Sequence, residues 1–124
     1  MASENIKRKI AVIFATDVVG YSTSMEANEV QTLKNLKSCK KILDDLFIQH
    51  DGHVFNTAGD SVLAEFSSAV SAVVCASEFQ KLIRERNNSV ENTQKMEFRI
   101  GINMGDVVKE DGNLYGEGVN IAAL

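Results

Sequence analysis

Long apolar runs are missing from this 124-residue chain, and with them any segment that could span a bilayer as a helix. The opening residues, MASENIKRKI, carry basic side chains but no apolar stretch before a small-residue cleavage site. They do not read as a secretory signal, and the expectation is a cytoplasmic chain. An excess of positive charge is missing too: 13 Lys and Arg stand against 17 Asp and Glu, a formal charge of −4. That argues against general nucleic-acid binding, which needs a basic face to neutralise phosphates. It leaves room for a nucleotide, whose phosphates are usually met by metal ions. Cysteine is scarce. Cys39 and Cys75 fall within helical patterns, which points to small buried hydrophobes rather than a disulfide or a metal pair. Proline is absent altogether, which singles out no element.

What remains is ordinary for a globular protein, 44% apolar and 24% charged, with length enough for one domain and a real core. Residues 10–14 (IAVIF) form a short apolar run ending near Asp17 and read as a buried strand. Over 26–50, apolar residues at Val30, Leu33, Leu36, Leu43, Leu46 and Phe47 follow helical spacing, and Asp51-Gly52 stops the helix. Lys34, Lys37, Lys40 and Lys41 fall between them, on its wet face. Residues 53–57 and 61–66 read as two strands around Ala58-Gly59-Asp60, a hairpin signal. Ala69, Val73, Ala76, Phe79 and Ile83 mark a second helix, followed by a polar, linker-like stretch at 87–93 (NNSVENT). Phe98, Ile100, Ile102 and Met104 alternate with Arg99, Gly101 and Asn103, indicating a strand with one buried face that Val107-Val108 extend before a turn at 110–113.

The order β-α-β-β-α-β is the ferredoxin-like split pattern, an α+β fold with helices on one face of an antiparallel sheet. The other face then needs cover, from a partner or a second subunit. In this topology the third strand lies between the first two strands and antiparallel to the first. The end of the first strand, at Asp17, therefore neighbours the start of the third, at Asp60. Paired carboxylates of this kind can hold two divalent cations about 3.5–4 Å apart for phosphoryl or nucleotidyl transfer. On residues alone Asp60 could equally be turn chemistry and Asp17 a strand end or helix cap. After Asp17, Val18-Val19-Gly20-Tyr21-Ser22 turns from strand into helix, where backbone N–H groups could meet a triphosphate or merely make the turn.

Four stretches together, FATDVVGYS (14–22), TAGDSVLAEF (57–66), FRIGINMGDV (98–107) and GEGVNIAA (116–123), resemble the class III adenylyl/guanylyl cyclase catalytic domain, in its order and spacing. The resemblance implies a ferredoxin-like core working as a homodimer with active sites at the interface. It implies that Asp17 and Asp60 bind two Mg²⁺ or Mn²⁺ ions with the Val18 carbonyl, and that backbone around Gly20 and Tyr21 meets phosphates. It further implies attack of the ribose 3′-hydroxyl on the α-phosphate, ATP giving 3′,5′-cyclic AMP and pyrophosphate in intracellular signalling. Asn120 matches the asparagine that stabilises the transition state from the opposite subunit.

The sequence also departs from the family. Four positions after that asparagine the family has an arginine; here stands Leu124, which can neither donate a hydrogen bond nor counter charge. Family domains continue further, so residues 1–124 are expected to be a single cyclase domain lacking its C-terminal part. The purine-selecting lysine and aspartate of adenylyl cyclases fall at Asn56 and Asn113. Asparagine amides both donate and accept, so the pair can still read a purine edge, and ATP ranks ahead of GTP. The alternative is an inactive cyclase-homology module serving dimerisation or nucleotide binding. His50 and His53 read as solvated or loop-packing groups, Met25, Met96 and Met104 as core filler, and Gly101 and Gly105 as sites of close packing.

Overall fold

A computed structural model describes residues 6–123. Its centre is β1 (Ile6–Val18), whose middle residues pack on both faces of the sheet and so read as one unbroken apolar run. Around it follow α1 (Tyr21–Ala27), α2 (Glu29–His50), β2 (Gly52–Ala58), β3 (Ser61–Phe66), α3 (Ala69–Asn88), a 3₁₀ turn at Asn92–Gln94, β4 (Phe98–Glu110), β5 (Asn113–Tyr115) and α4 (Glu117–Ala122). The strands pair antiparallel in the order β2-β3-β1-β4-β5, so β3 does lie between β1 and β2. Pairing of β1 with β4 runs from Ile6 opposite Glu110 to Val18 opposite Phe98. The α+β ferredoxin-like core is the one expected. No helix is long and apolar enough to cross a membrane among the described residues.

The helix expected over 26–50 is two helices. Asn28 adopts an extended conformation (φ −161°), caps α2 by accepting the Gln31 N–H at 3.0 Å, and closes α1 through its own N–H to Ser24 O. A polar side chain that caps a helix competes with continuing one. The buried stripe of α2 includes Thr32 and Asn35, while Val30 and Leu33 are exposed. Both polar residues are satisfied: Thr32 Oγ1 donates to Ser24 O at 2.9 Å, and Asn35 Nδ2 donates to Thr93 O at 3.2 Å. The polar stretch 87–93 is no linker. Asn87 bonds both backbone groups of Met96, and Arg86 donates to Gln94 O at 2.8 Å.

Between the sheet and α2 and α3, Phe14, Phe47 and Phe66 meet with ring centroids 5.3 to 5.8 Å apart, and Phe79 meets Phe98 at 5.0 Å. Edge-to-face and tilted contacts of this kind add to the stabilisation from burial. On β4 the alternation fades outward: Phe98 is buried, as is Met96 just before the strand, but Met104 is 63% exposed. Met104 is therefore not core filler. His50 Nε2 lies 2.9 Å from Glu78 Oε2, and His53 pairs with Asp51 in the open, so both histidines have packing or surface surroundings.

The second face of the sheet is not left bare for a partner. Helix α4 lies on it, with Val119 and Ala122 against Ala11, Ile13, Ala15, Val107 and Leu114, and Phe55 and Leu63 pack at the margin. Glycine makes this approach possible: a Cβ on Gly101 would overlap the Ala122 carbonyl, and one on Gly118 would sit 2.7 Å from Asp106 O.

Two outcomes follow from this packing. Gly101→Ala must push α4 off the sheet, and urea unfolding should show a loss of about 1–3 kcal/mol; an unchanged midpoint would contradict the seam. Cys39 and Cys75 are free and fully buried, and burial first, then Glu78, pushes the Cys75 thiol up to about 11. Neither thiol should react with a thiol reagent at pH 8 until the chain unfolds, because the thiolate is the reactive form.

Candidate functional site

The register of β1 places its last residues where the two neighbouring strands converge. Thr16 stands opposite Val62 of β3, so Asp17 and Val18 come level with Ser61 and Asp60. The Val18 N–H donates to Asp60 Oδ2 at 2.8 Å, which staples the β2–β3 turn to the end of β1. On the other side Asp17 stands opposite Arg99 of β4, and Arg99 Nε donates to Asp17 Oδ1 at 2.8 Å. Two carboxylates and one guanidinium thus share a rim of the sheet. The hydrogen bond and charge of Asp17, with Asp60 contributing less, hold the Arg99 guanidinium still more firmly protonated.

Arg99 is a member of this site that the sequence did not reveal. Its alternation marked it only as a residue on the polar side of a strand. The available signal was the pairing of β1 with β4, since an antiparallel neighbour of Asp17 on the same face must meet it.

Beyond Val18 the chain turns through Gly20, whose φ of 67° is a left-handed conformation that favours glycine, and α1 begins at Tyr21. The Val19 N–H is held by Glu97 O at 2.9 Å, which fixes this turn beside the start of β4. Under the rim lies a cleft of ≈ 340 Å³, walled by Thr16, Asp17, Ser61, Leu63, Arg99 and Gly101 and closed at one end by Ala122 and Ala123 of α4. A wider hollow of ≈ 720 Å³ follows the outer, lysine-bearing surface of α2 and includes none of these groups.

Asn56 reaches the same face of the sheet through an irregularity. Val54 pairs with Ala64 and Asn56 with Leu63, leaving Phe55 as an extra residue in β2. Leu63 is opposite Ala15, on the Asp17 face. Strict alternation would have put Asn56 on the α2 and α3 face beside Val54; the bulge moves it across. Asn113 opens β5, where its Oδ1 accepts the Leu114 N–H at 2.8 Å. β2 and β5 are opposite edges in strand order, though the curl of the sheet brings them near one another. No hydrogen bond joins the two asparagines. Asn120 lies on α4 and is exposed, on the side away from Val119 and Ala122. Leu124 is outside the described residues.

Two carboxylates and a backbone carbonyl at this rim would make a hard oxygen donor set of the kind that suits Mg²⁺ or Mn²⁺. Among the described residues no cluster of three or more Asp, Glu, His or Cys gathers in one place, so the two aspartates stand without a third such ligand.

The family description "Adenylate and Guanylate cyclase catalytic domain" matches residues 2–124. A Rhizobium meliloti (strain 1021) protein named "Putative adenylate cyclase 3" is 44% identical over 99% of this chain, which spans only 21% of that protein. The crystal structure of an adenylate/guanylate cyclase/hydrolase from Silicibacter pomeroyi superposes with a TM-score of 0.86 at 38% identity, covering 95% of this chain and 69% of that one. The guanylyl cyclase Cya2 superposes with a TM-score of 0.81 at 27% identity, over 94% of this chain and 68% of its own. With the family description matching residues 2–124 and a solved cyclase superposing at a TM-score of 0.86, the chain belongs to the adenylate and guanylate cyclase catalytic domain family.

Proposed function

We propose that this domain cyclises ATP to 3′,5′-cyclic AMP and releases pyrophosphate. The observation that carries the proposal is that Asp17 and Asp60 stand at one rim of the sheet, Asp60 bound to the N–H of Val18, the residue after Asp17. Asp17, Asp60 and the Val18 carbonyl would hold Mg²⁺ or Mn²⁺, leaving the remaining positions to water and substrate oxygens. Bound there, two such cations would acidify the ribose 3′-hydroxyl and offset charge on the departing pyrophosphate.

The chain's own groups supply orientation and charge. Backbone N–H groups at Gly20 and Tyr21, in the turn from β1 into α1, would meet the triphosphate. Arg99 is exposed and carries a planar fork suited to phosphate oxygens. While it pairs with Asp17 it competes with a cation for that carboxylate; when a nucleotide arrives, phosphate offers it another partner. Asn56 and Asn113 would read the purine edge with amides that both donate and accept. Asn120 points away from its own sheet, which supports a role in the site of a second copy and hence a homodimer. Its amide would stabilise charge developing on the α-phosphate.

ATP ranks ahead of GTP because the Rhizobium relative carries an adenylate cyclase name at 44% identity, against 27% for the guanylyl cyclase Cya2. A second reading, a homology module without turnover, is favoured by Leu124 at the family's arginine position.

With Mn²⁺ and ATP, the protein should form cyclic AMP, and Asp17→Ala should lower the rate by more than about 100-fold, since even outer-shell partners of metal ligands are worth 10–100-fold. A folded dimer giving no cyclic product from ATP or GTP would sink the enzyme reading; cyclic GMP alone would reverse the base assignment. Arg99→Gln should raise the KM for ATP. It should also tighten Mn²⁺ binding without nucleotide about two- to fivefold, the range of an exposed ion pair. Weaker Mn²⁺ binding in that variant would show that Arg99 supports the metal site instead of competing for it.

A further inference from the structure

Helix α4 is six residues long, far below the length at which a helix holds itself in water. Its orientation is therefore set by what it lies on. Val119 and Ala122 supply apolar contact with β1 and β4, and such contact is non-directional. Gly118 and Gly101 bring the two backbones close but present no side chain that would interlock. A short helix on a smooth seam can roll about its axis or slide along the strands.

One directional contact opposes this. Asn103 Nδ2 donates to the Gly118 carbonyl at 3.0 Å, the one side-chain hydrogen bond to α4 among the described residues. Asn103 is itself firmly placed, opposite Ile13 in the middle of the β1–β4 pairing and half-buried on the α4 face. Gly105, next on that face, leaves room for the amide to lean along the strand: a Cβ there would lie 3.3 Å from Asn103 Nδ2. The bond ends two residues before Asn120, on the flank of α4 opposite to it. Turning α4 while keeping its apolar contacts breaks this bond first and swings Asn120.

We propose that Asn103 is a positioning residue, whose amide holds Gly118 and thereby sets the direction in which α4 presents Asn120. The inference rests on the role given to Asn120 under the proposed function, and its consequences separate from that role. Asn103→Asp keeps the shape and removes the donor, placing a carboxylate against a carbonyl. Asn103→His keeps an N–H donor at similar reach.

In the full-length protein with Mn²⁺ and ATP, Asn103→Asp should lower kcat about tenfold, the upper range for losing one hydrogen bond, with KM for ATP within about twofold of the parent. Asn103→His should recover most of the loss. On an Asn120→Ala background the same Asn103→Asp change should add little, because the group it positions is gone. Hydrogen exchange of the α4 amides should quicken in Asn103→Asp while β4 amides keep their rates. A kcat loss of equal size with and without Asn120 would overturn the proposal and make Asn103 a general structural residue. So would unchanged kcat in Asn103→Asp where Asn120→Ala is itself impaired. If the parent forms no cyclic nucleotide, or Asn120→Ala is fully active, the functional reading has failed. The exchange result then decides alone: faster α4 exchange upholds the anchoring of α4 by Asn103, and unchanged exchange ends it.

Discussion

The pairing of β1 with β4 is the constraint on which the rest depends. It runs the full length of both strands, from Ile6 opposite Glu110 to Val18 opposite Phe98, and a slip of one residue would send every side chain to the other face. On the α4 side this register makes a single row of pairs: Ala11 with Gly105, Ile13 with Asn103, Ala15 with Gly101 and Asp17 with Arg99. Read along the row, the strand pair changes from a dry seat for a helix, to an anchoring amide, to a charged rim. The site and the element that closes its cleft are set by one alignment of two strands.

The opposite face makes that alignment stable. Phe14, Phe47 and Phe66 lock β1 and β3 to α2, while Phe79 and Phe98 lock β4 to α3. Large side chains gathered on one face leave the other free to use small ones, and Ala11, Ala15, Gly101 and Gly118 are what allow α4 to lie so close. The charged groups stay at the end of the sheet, where Asp17 and Arg99 remain in contact with water. On the proposed function, that placement would let the ion pair open for a cation and a phosphate without burying an unpaired charge, which would be costly.

Much of this was legible beforehand because it follows from local chemistry. The apolar run of β1, the turn at Gly59-Asp60 and the Asp51-Gly52 stop of α2 are each encoded within a few residues. The convergence of Asp17 and Asp60 was legible from topology, since the split pattern brings those two chain positions together whatever the details. Other features had no local signature. Thr32 and Asn35 are buried although polar, because Ser24 and Thr93 supply partners from elsewhere in the chain. Asn28 ends one helix and caps the next, a choice made by its backbone and invisible to a count of apolar spacing.

From residue types and their order alone came the α+β class, the central β-α-β-β-α-β order, the carboxylate pair, the glycine turn and the resemblance that points to a cyclase. Those depend on periodicity, turn chemistry and short motifs, all of which are properties of neighbouring residues. Only the tertiary structure decided that Arg99 meets Asp17, that a bulge at Phe55 carries Asn56 to the site's face, and that α4 covers the second face with Asn120 turned outward. Each of these is a matter of register between strands or of how closely two backbones approach. Such contacts join residues far apart in the chain, and no nearby residue records them.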